Sequence, residues 1–294
     1  MLVVTFPYRL KRDTMYDLLN QVINADNYPR DYEIHFDFTR LGFIEPVGVT
    51  VLANLVEWLM KLGVQVVFKH NIFRDSNKYL DDSLFFEKYL LQKLHHTSTP
   101  RATTIPLQAV TYQSSYQWLD WFIQWLSQRL SMNMASLLNI RTCMEEIFNN
   151  IKDHSKENLG CVFAQHFPQK ESGIVSIAIS DFGVGIPVTM AQRYYGLTDS
   201  QAISQATMLG VSSQTTPQNR GAGLGVLINN VVLNNRGNVY IHSNHGILNC
   251  KYNSGGVDRI TQNTSGYYPG TLIEIEMRTD TIEYVHDDGE EFEW

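Results

Sequence analysis

RTCMEEIFNNIKDH, residues 141–154, carries the apolar spacing of a helix, and its polar positions decide how the rest of the chain is read. Met144, Ile147 and Ile151, with Ile140 just before them, recur at three- and four-residue steps and predict one buried stripe. Glu146, Asn150 and His154 stand at successive i+4 positions on another face. A carboxylate one turn before a carboxamide suits a metal-nucleotide site, because the amide oxygen ligates a hard cation while the acid orients or deprotonates a nucleophile. Alone, such a pattern is more often the polar face of a surface helix, and what lifts it lies further along the chain.

Working outward, residues 105–112 read as a strand and 116–130 as a helix with Trp118, Trp121, Phe122, Trp125 and Leu126 at helical spacing. Three tryptophans exceed what one core face needs, so a share of them is expected to cover an earlier part of the chain or a second subunit in a homodimer. Residues 160–167 and 173–180 read as two strands. The second runs straight into Asp181-Phe182-Gly183-Val184-Gly185-Ile186-Pro187, where two glycines allow a tight turn and close backbone approach to a ligand. An aspartate there can accept a hydrogen bond from an exocyclic amine, which adenine offers and guanine does not.

Residues 210–219, GVSSQTTPQN, are polar and aperiodic, a loop of lid length. They lead into Arg220-Gly221-Ala222-Gly223-Leu224-Gly225 and the apolar-periodic Val226, Leu227, Val231 and Val232. Glycines at a helix entrance let N–H groups face phosphate oxygens. The run follows a long loop and not the first strand of a βαβ unit, against a Rossmann site, and no GxxxxGK[ST] is present. In residues 266–277, GYYPGTLIEIEM, Gly270 marks a turn before a strand, with Thr271, Ile273, Ile275 and Met277 on one side and Leu272, Glu274 and Glu276 on the other.

Taken in order, Glu146-xxx-Asn150-xxx-His154, Asp181-x-Gly183-x-Gly185, Gly221-x-Gly223-x-Gly225 and Gly270-Thr271 resemble the N, G1, G2 and G3 boxes of the GHKL superfamily of ATPases and kinases, over residues 105–278. The resemblance implies a Bergerat α/β sandwich, with a mixed, largely antiparallel sheet, that binds ATP and Mg2+ under a mobile lid. It implies Asn150 as the Mg2+ ligand, Glu146 as general base, Asp181 against adenine N6, and the 181–186 turn, with Gly183, Gly185 and Ile186, around the base. Gly221, Ala222, Gly223, Leu224 and Gly225 would line the phosphates, Thr271 would support the base through water, and Asp153 and His154 fall within the same site. Asp153 stands where many sensor kinases place a basic residue, so phosphate charge falls to Mg2+, Lys152, His154 or, above all, Arg220.

Residues 2–6 alternate as an edge strand, 14–25 have helical spacing, 32–38 alternate as a strand, Pro46 opens an amphipathic helix that Gly63 stops, and 64–68 read as a buried strand. The span YEIHFDFTRLGFIEPVGVTVLANLVEWLMKLGVQVVF resembles the STAS-like fold of anti-sigma factor antagonists. Where that family carries its phosphorylatable serine, this chain has Ile44-Glu45-Pro46-Val47-Gly48, which points to a regulatory or docking role. Residues 75–94 read as charged and helical. His95-His96-Thr97-Ser98-Thr99-Pro100 has the outward form of a histidine-kinase phosphoacceptor box, but Pro100 and Pro106 forbid the long helix such a histidine needs, and the segment reads as a linker.

The expected organisation is therefore an α/β chain with a STAS-like domain over 1–100, a GHKL domain over 101–280 and an acidic tail over 281–294. At 294 residues the chain is long enough for two cores. A formal charge of -7 without a basic patch argues against nucleic acid, and no apolar run reaches the ~18 residues of a membrane span. Residues 1–6 are too short an apolar run for a signal peptide, and three scattered cysteines read as reduced thiols in the cytoplasm. The spacing of Glu146, Asn150 and His154 resembles anti-sigma serine kinases, whose partners are STAS-like or sigma-factor-type regulators. The leading expectation is an ATP-dependent serine/threonine kinase; the others are an ATPase acting as a conformational switch and, last because an acid stands at the catalytic position, a non-hydrolysing ATP-sensing adaptor.

Overall fold

The computed structural model describes residues 1–154, 159–208 and 223–285. Its first part consists of β1 (Leu2–Thr5), β2 (Arg9–Leu10), α1 (Met15–Val22), β3 (Glu33–Asp37), β4 (Phe43–Ile44), α2 (Pro46–Lys61), β5 (Gln65–Lys69), α3 (Asp75–Asp82) and α4 (Phe85–Leu90). Strands β1, β3 and β5 form a parallel sheet in the order β1-β3-β5, and β2 pairs with β4. Parallel neighbours need crossovers, which α1 and α2 supply. β5 is an edge strand with half-buried Val66, Val67 and Phe68, not the buried strand its apolar run predicts.

The second part consists of β6 (Thr104–Thr111), α5 (Tyr112–Leu130), α6 (Leu138–His154), β7 (Leu159–Phe167), β8 (Ile174–Asp181), α7 (Ile186–Ala191), α8 (Asp199–Ala206), α9 (Gly223–Ile228), β9 (Asn238–Asn253) and β10 (Gly256–Arg278). A π-helical turn at Asn229–Asn234 continues α9. The five strands form one sheet, β6-β7-β8-β10-β9, antiparallel at each pair. The expected mixture of strand directions thus falls between the two larger sheets and not within either.

Both faces of the five-stranded sheet are covered. On one, Val162, Ile177, Ile179, Ile273 and Ile275 meet Trp118 and Phe122 of α5, Met144 and Ile147 of α6, and Leu227 of α9. On the other, Phe163, Ala178, Tyr268 and Leu272 share one apolar core with the first part. Helix α2 lies between, against β7 and β8 on one side and β5 on the other. Twelve of its 16 residues are buried, so it is apolar nearly all round and not the amphipathic helix its spacing predicts.

The tryptophans of α5 divide differently from expectation. Trp118 and Trp125 pack into the helical core and Trp121 is 40% exposed, while the first part presents its own Trp58 to the sheet. Polar contacts pin the two parts. Arg12 pairs with Glu274 and stacks over Tyr240 at 4.0 Å, and the Tyr16 hydroxyl lies 2.7 Å from His242 Nδ1. Burial pulls His242 down to about 4, so it is neutral near pH 7. The start of the expected linker is tied down: the N–H groups of His95 and of Leu94 just before it donate to the buried Asp81 carboxylate at 2.9 and 3.0 Å. Among the described residues no helix is long and apolar enough to cross a membrane.

Candidate functional site

Strand alternation places Ile177, Ile179 and Asp181 on the helical face of β8, and Ala178, Ser180 and Phe182 on the face toward the first part. Asp181 is buried, and its Oδ1 accepts the Gly183 N–H at 2.7 Å. Burial pushes its carboxyl up to about 7, against the opposing pull of the Gly183 and Thr271 backbone N–H groups. Thr271 stands opposite Asp181 in the β8–β10 register. The chain then turns through Gly185, at φ +84°, into α7. A Cβ on Gly185 would lie 2.7 Å from Ser243 Oγ and 2.8 Å from Asn244 Oδ1, so only glycine fits.

Ser243 and Asn244, which the sequence reading did not reach, complete this corner. The Ser243 hydroxyl accepts the Ile186 N–H at 2.9 Å and donates to the Gly270 carbonyl at 2.6 Å, with Thr271 Oγ1 3.3 Å away. One buried side chain therefore ties the glycine turn to the Gly270-Thr271 bend. Asn244 adopts φ +53°, and its buried Oδ1 has no hydrogen-bond partner among the described residues. Ser243→Ala is expected to leave a buried N–H and a buried carbonyl unpaired and to cost about 1–3 kcal/mol, read as a lowered urea midpoint with unchanged slope.

Across the same face, α6 packs against α9 through Met144, Ile147, Leu224 and Leu227. Cys143 and Phe148 are buried beside them, so the α6 stripe is broader than predicted. Glu146 is half-buried on α6. The Cys143 thiol is raised mainly by burial and further by Glu146, and it accepts a 3.1 Å hydrogen bond from Asn230 in the π-helical turn. Asn150, Asp153 and His154 belong to the last turns of α6, and their side chains lie outside the described residues, as do Arg220, Gly221, Ala222 and the 210–219 loop. Gly223, Leu224 and Gly225 form the first turn of α9.

The structure thus brings Asp181, Gly183, Gly185, Ile186, Gly270 and Thr271 into one corner, and sets α6 and α9 side by side over the sheet face that Asp181 shares. A buried carboxylate, and an amide oxygen in the same corner that is unpartnered among the described residues, can accept hydrogen bonds from an amine-bearing ring. A scan against protein-family models finds no match for the chain, and no curated protein is similar to it in sequence.

Proposed function

We propose that the chain is an ATP-binding signalling protein of the GHKL type, with a STAS-like first part, and that it acts as a serine/threonine protein kinase resembling anti-sigma factors. The observation that carries this reading is the corner at Asp181: a buried acceptor, paired with Thr271 and flanked by a glycine turn that admits no side chain. The Asn244 Oδ1 beside Gly185, unpartnered among the described residues, supports a ligand that brings N–H donors.

Asn150 is the residue that would hold Mg2+, since one carboxamide plus ligand phosphates and water is a donor set this ion accepts, and when bound the ion neutralises phosphate charge. Glu146, one turn earlier on α6, would take the proton from an attacking hydroxyl. That hydroxyl belongs to another protein, a STAS-like or sigma-factor-type regulator. Ile44 and Val47 are buried where a cis acceptor would stand, and the nearest hydroxyl, Thr50, is buried and bonded to the Pro46 and Ala178 carbonyls. Unbridged Cys143, Cys161 and Cys250 support a cytoplasmic setting.

Titration calorimetry with Mg2+ and ATP tests the nucleotide site, with heat expected for the full chain and a loss of at least tenfold in affinity for Asp181→Asn. No heat for the full chain, or an unchanged affinity in Asp181→Asn, removes the reading. Radiolabelled ATP separates kinase from switch. Label on a partner protein that Glu146→Ala abolishes supports the kinase; phosphate release without labelled protein supports an ATPase switch. The seat of α2 behind the Asp181 strand is what favours that second reading.

A further inference from the structure

Helix α2 runs along β8 and the turn that follows it. Thr50 Oγ1 donates to the Ala178 carbonyl at 3.3 Å, and two turns later the Trp58 ring meets the Phe182 ring edge-on at 6.0 Å. Eight helical steps rise about 12 Å, and the four extended steps from Ala178 to Phe182 span about 13 Å, so the two rows stay in step. Asn54, midway along the same helical row, is buried, with its Nδ2 unpaired among the described residues.

Phe182 is where this row reaches the candidate site. It stands between Asp181 and Gly183 and points away from them, held between Trp58 on one side and Tyr268, at 5.6 Å, on the other. Tyr268 is in turn fixed by a 2.5 Å hydrogen bond between its hydroxyl and Ser180 Oγ. The Gly183 N–H that engages Asp181 is therefore carried by a backbone whose rear side chain is gripped by the first part. Rotation of the peptide groups on either side of Phe182 would swing its Cβ and drive the ring out of its seat between Trp58 and Tyr268.

We propose that Trp58 is a positioning residue of the nucleotide site: by bracing Phe182 it sets the Asp181–Gly185 turn, and so couples nucleotide affinity to the packing of the first part on the sheet. This rests on the nucleotide reading given above. The coupling is reciprocal, so bound nucleotide tightens the Trp58–Phe182 contact as much as the contact tightens nucleotide.

The test uses the full chain with ATP and Mg2+ as the probe. Trp58→Leu, which keeps an apolar side chain but loses the ring edge, is expected to weaken ATP and ADP equally by about 5–50-fold, whereas Trp58→Phe restores affinity to within threefold. Equal stability of the two variants by urea unfolding separates positioning from general loosening. In a double-mutant cycle with Phe182→Leu, the two losses are expected to overlap and not to add. Wild-type affinity in a folded Trp58→Leu, equal losses in the Leu and Phe variants, or strictly additive losses each overturn the proposal. If Trp58→Leu does not fold, the Phe variant and the Phe182→Leu single variant carry the comparison, with loss in the second and not the first expected, and the reverse overturning it. Absence of ATP binding by the wild-type chain overturns the nucleotide reading itself and is seen before any variant is made.

Discussion

Gly270→Ala is expected to cost about 2–5 kcal/mol and to lower the melting temperature by roughly 3–8 °C. Gly270 has φ +81°, a conformation that costs an L side chain about 1–2 kcal/mol. Its added Cβ would also lie 2.3 Å from the Asp181 carbonyl oxygen, 2.6 Å from the Gly183 nitrogen and 2.8 Å from Phe182 Cα. All three are backbone atoms that cannot swing aside, so β8 and β10 would have to part where Thr271 faces Asp181. Gly63→Ala is the matched control, since Gly63 has φ +75° but nothing within 4 Å of the added carbon. It is expected to cost only the conformational part, about 1–2 kcal/mol. The difference between the two variants in denaturant unfolding measures the collision. If Gly270→Ala is no less stable than Gly63→Ala, the bend does not press on the turn, and the corner loses its rigidity as an argument.

What the sequence made readable is what has a clean period. The row Ile273, Ile275, Met277 against Leu272, Glu274, Glu276 in β10 is borne out, with the first set in the helical core and Leu272 in the other. The pattern did not say what would cover Glu274. Its partner Arg12 is 262 residues earlier, and no local period reports so distant a contact. The same long-range packing explains α2: its spacing predicts an amphipathic helix, but Thr50 and Asn54 are buried as well, because the five-stranded sheet lies against that side.

Strand β9 escaped because its period breaks. Val239 and Ile241 face the helical core, yet after Asn244 that face is taken by Leu248 and Cys250, so odd positions give way to even ones. The switch falls at Asn244, at φ +53° opposite Tyr268, where the sheet carries a bulge whose extra residues lie in β10, between Asn263 and Tyr268 and between Tyr268 and Thr271. Two short alternating runs of opposite phase, Asn238–Ile241 and Ile247–Cys250, were the available sign. The bulge is also what brings Ser243 and Asn244 beside Gly185, so the feature that hid the strand is the one that builds the corner. Asp181 was readable from its place between a strand and two glycines. Its burial was not, because that depends on Thr271 and Ser243 closing over it from later strands.

Burial of that carboxyl sets the second large effect: between pH 4 and pH 8 the wild-type chain is expected to lose up to about 4 kcal/mol of stability relative to Asp181→Asn. The folded-state value, about 7, lies above the ordinary 3.8. Between the two the folded chain keeps a proton that the unfolded chain has released. The contribution is therefore complete below about pH 4 and is lost as pH rises through 7. Asparagine does not titrate, and the constant cost of its buried amide, about 1–3 kcal/mol, drops out of the comparison across pH. Tyr268, the titratable neighbour behind the strand, is pushed well above 10 by burial and stays neutral in this window. Urea unfolding of both proteins at intervals from pH 4 to pH 8 gives two curves, and parallel curves would mean that Asp181 ionises freely. An amine donated to Asp181 by a bound base favours the ionised carboxylate, so saturating nucleotide is expected to move the window downward and to release part of a proton near pH 6.5. Proton release would appear in calorimetry as a binding heat that scales with the ionisation enthalpy of the buffer, and identical heats in all buffers would place the amine elsewhere.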